Sequence, residues 1–226
     1  IDGCIENAQS VTRGGGKIKI GGPNLIGIIC LIDSLTVIKQ YVYDEKKVSM
    51  QTLVDALKND WAGYERIRID ILRNAKFFGN GEQISDEISK RLSYSLLKIS
   101  RDKKMSQGQT IIFGSLEGYN PYHELFARLM PATPDGRRKG ESYMIGVGQA
   151  NGKDRNGLAA VLNSVAQMDP AGIICGPFLC NVTVDQSLVT DDKKFNKLVN
   201  VLETYFRRGG MHVQLNYLSA GELENA

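Results

Sequence analysis

The stretch Gly3-Cys4-Ile5-Glu6 sets a thiol beside a glycine and a carboxylate two positions further on. Glycine leaves the sulfur approachable. If the backbone is locally extended, Cys4 and Glu6 project to the same side, bringing a thiol and a proton-transfer group to one site. Read in isolation, the pair is better described as a small buried thiol and a surface charge.

Three further stretches carry chemistry-bearing residues. Ala132-Thr133-Pro134-Asp135-Gly136-Arg137-Arg138-Lys139-Gly140-Glu141 contains Pro-Asp-Gly turn chemistry, with proline presetting φ and glycine supplying a positive φ. Arg137 and Arg138 could bind a carboxylate or phosphate, but for the string on its own a buttressed surface turn with solvated charges is the preferred reading. Asp154-Arg155-Asn156-Gly157, followed by Leu162-Asn163-Ser164-Val165, reads as a polar turn leading into a helix. Gly209-Gly210-Met211-His212-Val213-Gln214-Leu215-Asn216 reads as a strand after a double glycine, with His212, Gln214 and Asn216 on one face. The reading preferred for His212 is a core histidine with a satisfied hydrogen bond. Arg13-Gly14-Gly15-Gly16-Lys17 fails the phosphate-loop pattern because Ile18 follows the lysine.

The elements that must position these residues alternate. Asn24 to Val42 is expected to be a helix with Leu25, Ile28, Ile32, Leu35 and Ile38 on its apolar face. Ser49 is the expected N-cap of a second helix over Met50 to Lys58. Further helices are expected over 62–74, over 82–100 with Ile84, Ile88, Leu92 and Leu96 on one face, over 158–167, and over 191–207 with acids first and arginines last. Strands are expected at 109–114, 178–184 and 212–217. This alternation predicts an α/β architecture.

The chain has 226 residues, 42% hydrophobic and 23% charged, with a net charge of +3. These are values of an ordinary globular chain. The near-balance of charge argues against nucleic acid or an anionic membrane as partner. No apolar stretch is long enough to span a bilayer, and no signal peptide opens the chain, so a cytoplasmic location with thiols rather than disulfides is expected. Cys175 and Cys180 lack the spacing of a zinc or redox pair, and with two histidines no metal site is expected. Cys30 falls inside the first long helix and is assigned to packing. Both ends read as cut, since Ile1 opens the chain and Leu223-Glu224-Asn225-Ala226 reads as mid-helix without a stop signal.

Taken together and in order, these stretches resemble the pyruvate formate-lyase-like glycyl radical enzymes. Gly3-Cys4-Ile5-Glu6 is similar to the family's Gly-Cys-x-Glu, and Phe78-Gly79-Asn80-Gly81 to its Phe-Gly-Asn-Asp. Ala132 to Glu141 is similar to its Ala-Thr-Pro-Asp-Gly-Arg-x-x-Gly-Glu, and Gly209 to Asn216 to its Gly-Gly-x-His-x-Gln-x-Asn. The resemblance implies part of a ten-stranded β/α barrel of the glycyl radical enzyme type. It implies that Cys4 becomes a thiyl radical that removes a hydrogen atom from a small substrate. It also implies that Glu6 is the general acid/base of members that eliminate a leaving group. No bound cofactor is implied. A glycyl radical, installed by a radical SAM activating enzyme, is expected outside this chain, because the Arg-Val-x-Gly-Tyr-type motif is absent from the sequence. Residues 1–226 are thus expected to be the C-terminal part of the catalytic domain, lacking the glycine-radical loop. A homodimer of the full-length enzyme is compatible with this reading.

Asn7 stands where many eliminating members have proline, and Gly81 where aspartate is usual. The expected function is a radical lyase of the dehydratase or eliminase kind. An acyl transferase like formate C-acetyltransferase uses two adjacent cysteines, whereas Ile5 follows Cys4 here. A radical decarboxylase, which also carries Cys-x-Glu, and an inactive fragment or non-catalytic α/β module remain the alternatives.

Overall fold

The computed structural model describes residues 1–106, 108–115, 120–143, 146–169, 178–219 and 221. Cys175 and the expected helix at Leu223–Ala226 lie outside them. The architecture is α/β. Its helices are α1 (Ile28–Val37), α2 (Met50–Lys58), α3 (Glu65–Asn74), α4 (Gln83–Asp102), α5 (Asn120–Leu129), α6 (Gly157–Gln167), α7 (Ser187–Thr190) and α8 (Asp192–Arg207). The strands are β1 (Ile20–Gly21), β2 (Thr110–Ile111), β3 (Leu179–Asp185) and β4 (His212–Leu218).

Helix α1 begins after Gly27, whose φ of +75° and close neighbour Tyr143 both favour a residue without a side chain. It continues as a π-helical turn over Ile38–Asp44. The single apolar stripe expected for it is too narrow, since Leu35 is partly exposed while Ile29 and Val37 are fully buried. The helix is covered on two sides. Ile28, Ile29 and Ile32 join a core with Phe78, Val161, Leu162, Val165, Phe178 and Val182. Val37 and Tyr41 join a second core with Leu53, Trp61, Ile71 and Phe77. Helix α4 packs Ile88, Leu92 and Leu96 on the first core, as its periodicity predicts. Ser85, Ser89 and Ser93, also at helical spacing, are buried on it, and their small size admits a neighbouring element closely.

Local signals explain the helix starts. Ser49 Oγ accepts the Thr52 N–H at 3.0 Å ahead of α2, and Asp191 accepts the Lys194 N–H at 2.8 Å ahead of α8. Strands β3 and β4 pair in parallel over seven positions, from Leu179 opposite His212 to Asp185 opposite Leu218, with α7 and α8 as the crossover. Strands β1 and β2 are also parallel, and the pairing extends as a bridge between Asn24 and Gly114. The two pairs are separate two-stranded sheets, with an isolated parallel bridge between Ser115 and Phe178 lying between them in sequence. Among the described residues no helix is long and apolar enough to cross a membrane.

Candidate active site

Residues 1–9 form a loop of tight turns ahead of the first strand. The Asn7 N–H donates to Gly3 O at 3.0 Å and the Gln9 N–H to Cys4 O at 3.1 Å. The extended backbone that would send Cys4 and Glu6 to one side is therefore not present, because two positions along a coiled backbone turn side chains away from each other. Both residues nonetheless sit at the tip of one loop, with Cys4 half-buried, Glu6 exposed and Ile5 92% exposed.

The glycine run that failed the phosphate-loop pattern builds the seat of this loop. Gly14, Gly15 and Gly16 are buried beneath it. A Cβ on Gly15 would lie 2.1 Å from Gln9 O, and one on Gly3, where φ is +92°, would lie 2.7 Å from Lys17 N. Lys17 N–H donates to Asp2 O at 2.7 Å, and Asn7 Nδ2 donates to Gly15 O at 2.9 Å. Glycine is required where backbone meets backbone this closely.

The Ala132–Glu141 string is an internal brace rather than a solvated surface turn. Arg137 is 6% exposed and donates to the carbonyls of Arg138, Glu141, Met130 and Pro131. Those bonds occupy both terminal nitrogens of its guanidinium, while Nε is buried without a partner. Arg68 Nε donates to Gly136 O at 2.7 Å and its guanidinium pairs with Glu141 at 3.0 Å. Asp135 accepts from Thr133 Oγ1 and from Lys153 Nζ, each at 2.6 Å. Lys153 Nζ also lies 3.5 Å from Asp33 on α1. Cys30 Sγ stands 3.4 Å from Thr133 Oγ1 and 3.5 Å from Asp135 Oδ1.

Lys153 is shared unequally, and the carboxyls respond in opposite directions. Burial pushes Asp33 up to about 7, only partly countered by the more distant ammonium. For Asp135 burial acts the same way, but Lys153, Thr133 and Cys30 together outweigh it and hold the carboxyl below its ordinary value. Burial works against the Lys153 ammonium, yet the two aspartates keep it above its ordinary value. A cleft of about 610 Å³ opens beside this network, with Cys30, Asp135, Lys153, Arg68 and Tyr143 in its wall and no residue of the cysteine loop.

Asp33 and Lys153 were not among the residues singled out from sequence. A signal for Asp33 existed, since a carboxylate inside the apolar run Leu25 to Leu35 must find a partner. Lys153 carried none. The Phe78–Gly81 and Asp154–Gly157 stretches come together around Asn80, whose side chain donates to Lys153 O at 3.0 Å and accepts the Arg155 N–H at 2.8 Å. Arg155 in turn donates to Leu72 O and Ala75 O at the end of α3. The polar turn is thus a junction between elements.

His212 is exposed on β4, which overturns its reading as a core histidine. Val213 and Leu215 pack against the first core, so the two-residue period turns His212 and Gln214 to the other face, with Asn216 half-buried beside them. Gly210 is needed before the strand because a Cβ there would lie 2.3 Å from the Tyr205 ring.

Among the described cysteines, Cys30 and Cys180 are buried and Cys4 is not. Burial, with Asp135 adding to it, pushes the Cys30 thiol up to about 11, and burial alone pushes Cys180 up to about 12. Neither is a ready thiolate. Among the described cysteines Cys4 is the one not buried, whereas Cys30 borders the cleft as a buried thiol held in its protonated form.

The sequence model described as pyruvate formate lyase-like matches residues 1–120, and the one described as glycine radical matches residues 144–226. The trans-4-hydroxy-L-proline dehydratase of Clostridioides difficile is 30% identical over 226 residues, covering 100% of this chain and 28% of that protein. The isethionate sulfite-lyase of Desulfovibrio desulfuricans is 30% identical over 223 residues, covering 97% of this chain and 26% of that protein. The chain superimposes on the crystal structure of hydroxyproline dehydratase from C. difficile with trans-4-hydroxy-L-proline bound, with a TM-score of 0.89 and 30% identity. It also superimposes on the glycerol-bound B12-independent glycerol dehydratase of Clostridium butyricum, with a TM-score of 0.88 and 29% identity. Each match spans 100% of this chain and 28% of the solved one. The chain therefore spans under a third of the length of these relatives.

Proposed function

The chain belongs to the pyruvate formate lyase-like family, and on that premise we propose that it carries the thiyl-forming cysteine of a radical lyase of the dehydratase or eliminase kind. The observation that carries the reading is Cys4. It is an approachable thiol on a glycine-seated loop, followed by Ile5 rather than a second cysteine and then by Glu6. Paired-thiol acyl transfer lacks its second sulfur there. Relatives named as dehydratases and a sulfite-lyase support the eliminating class, and a small hydroxylated or amine compound is the substrate class proposed.

A glycyl radical, installed by a radical SAM activating enzyme and held outside these 226 residues, supplies the unpaired electron. Cys4, as thiyl, takes a hydrogen atom from a substrate carbon, so an S–H bond forms, a C–H bond breaks and the unpaired electron moves to carbon. The neighbouring bond to the leaving group then breaks, the electron pair departing with that group while Glu6 delivers a proton to it. A hydroxyl or amine proton of the substrate returns to Glu6. The product radical takes the hydrogen atom back from Cys4. A thiyl needs a site closed to water and oxygen, and the loop tip is open in this chain, so the remaining walls are assigned to the rest of the enzyme. The four parallel strands are proposed to form part of a ten-stranded barrel, their polar face inward.

The test uses the full-length enzyme, activated without oxygen and followed by electron paramagnetic resonance and product formation. Cys4→Ser should form the glycyl radical and make no product. Glu6→Gln should keep the radical and slow product formation by about 10²–10⁴-fold, the usual contribution of a general acid–base group. Near-normal turnover in Cys4→Ser would remove Cys4 from the mechanism. Near-normal turnover in Glu6→Gln would return Glu6 to a surface charge.

A further inference from the structure

Asn7 grips the cysteine loop at two points. Its main-chain N–H donates to Gly3 O at 3.0 Å and so closes the turn that carries Cys4. Its side-chain amide donates to Gly15 O at 2.9 Å and so fastens that turn to the glycine seat. The seat holds the loop from both sides of its tip, because Lys17 N–H reaches Asp2 O at 2.7 Å and Gly15 N–H reaches Ser10 O at 3.0 Å. Gly15 has no space for a Cβ, with Gln9 O 2.1 Å and Gln9 Cβ 2.9 Å from where it would stand. Proline in place of Asn7 could make neither of the two bonds, since it has no N–H and no amide.

We propose that Asn7 is a positioning residue for Cys4, its side-chain amide holding the cysteine loop on Gly15 and thereby setting where the sulfur stands over the substrate carbon. The inference rests on the radical reading of Cys4 for its catalytic half. Its structural half, a loop clasped by one amide donor, stands without it. Hydrogen-atom transfer requires the reacting atoms within about 3–3.5 Å, and a misplacement of about 1 Å costs on the order of a hundredfold in rate. A loop freed from one of its fastenings samples such displacements, and the loss falls on the chemical step rather than on substrate binding.

The experiment compares Asn7→Ala, Asn7→Asp and Gly15→Ala with the wild type in the full-length protein. Asn7→Asp is nearly isosteric and keeps the main-chain bond, but as a carboxylate it has no proton to offer Gly15 O. In the unactivated protein, iodoacetamide labelling of Cys4 should quicken by about three- to tenfold in Asn7→Ala and Asn7→Asp, the range expected for losing one ordinary hydrogen bond, and at least as much in Gly15→Ala, where the added Cβ also collides with Gln9 O and lowers the thermal midpoint. Unchanged labelling in Asn7→Asp overturns the clasp, whatever chemistry Cys4 performs. In the activated enzyme, assayed on whichever of trans-4-hydroxy-L-proline, glycerol or a related small polyol the wild type turns over, kcat should fall by about tenfold in Asn7→Asp with KM and radical yield held. Faster labelling with unchanged kcat overturns the positioning role while leaving the radical reading intact. Loss of turnover in Cys4→Ser, read alongside, tests that reading separately.

Discussion

Replacing Lys153 by methionine removes the ammonium that pairs with two buried carboxyls. In the native protein the ammonium lies 2.6 Å from Asp135 and 3.5 Å from Asp33, and 4.2 Å from the centre of the Phe77 ring. Methionine fills most of the volume, so the loss is electrostatic rather than a cavity. Breaking a buried pair by removing one partner costs about 3–5 kcal/mol, because the other charge stays buried without compensation. For a domain of this size each kcal/mol moves the thermal midpoint by about 2–4 °C, so a fall of about 6–20 °C is expected. The sign of the pH dependence follows from the two aspartates. Asp33 is already raised from 3.8 to about 7, so its contribution to stability is full below its unfolded value and fades as pH rises through about 7. Asp135 is held low by Lys153 among others, so it contributes stability above its unfolded value and loses it in acid. Without the ammonium, burial raises Asp135 as well, and both groups then favour the protonated folded state. The penalty of Lys153→Met should therefore be large near about pH 8 and shrink toward about pH 5. Thermal unfolding followed by circular dichroism at both pH values measures it, and adding Asp135→Asn to Lys153→Met should restore part of the loss at the higher pH. A loss under about 1 kcal/mol, or one that does not change with pH, would refute the reasoning, since a surface substitution does no more.

Two smaller perturbations separate packing from chemistry. Cys180→Ala, in the first core, should cost about 1–2 kcal/mol in unfolding experiments and leave the turnover of the activated full-length enzyme unchanged. A large fall in turnover would mean that Cys4 is not the working thiol. Ser49→Ala removes the acceptor for the Thr52 N–H and should cost about 1 kcal/mol, seen as faster amide exchange in the first turn of α2. Unaltered exchange there would mean that packing alone holds the helix end.

Much of the framework was legible in the sequence because its signals are local. Helix α2 runs from Met50 to Lys58, as the Ser49 cap predicts, and α8 starts at the Asp191 cap. Strands β3 and β4 fall where alternation and the double glycine put them. Such signals act within one or two turns of chain, so a linear reading captures them. Residue identity and order alone also singled out Cys4 and Glu6 and carried the family resemblance. Tertiary structure decided the rest. The period of β4 put His212 on the same face as Gln214, but only the packing of Val213 and Leu215 determined which face meets the core. The arginines of the Pro-Asp-Gly string looked solvated until the fold enclosed Arg137 among four carbonyls. Asp33 and Lys153 are 120 positions apart, and no pattern in the chain relates them. The glycine run at 14–16 has no meaning until the cysteine loop lies on it. In each case the energy comes from desolvation and close contact between segments distant in sequence, and those exist only once the chain has packed.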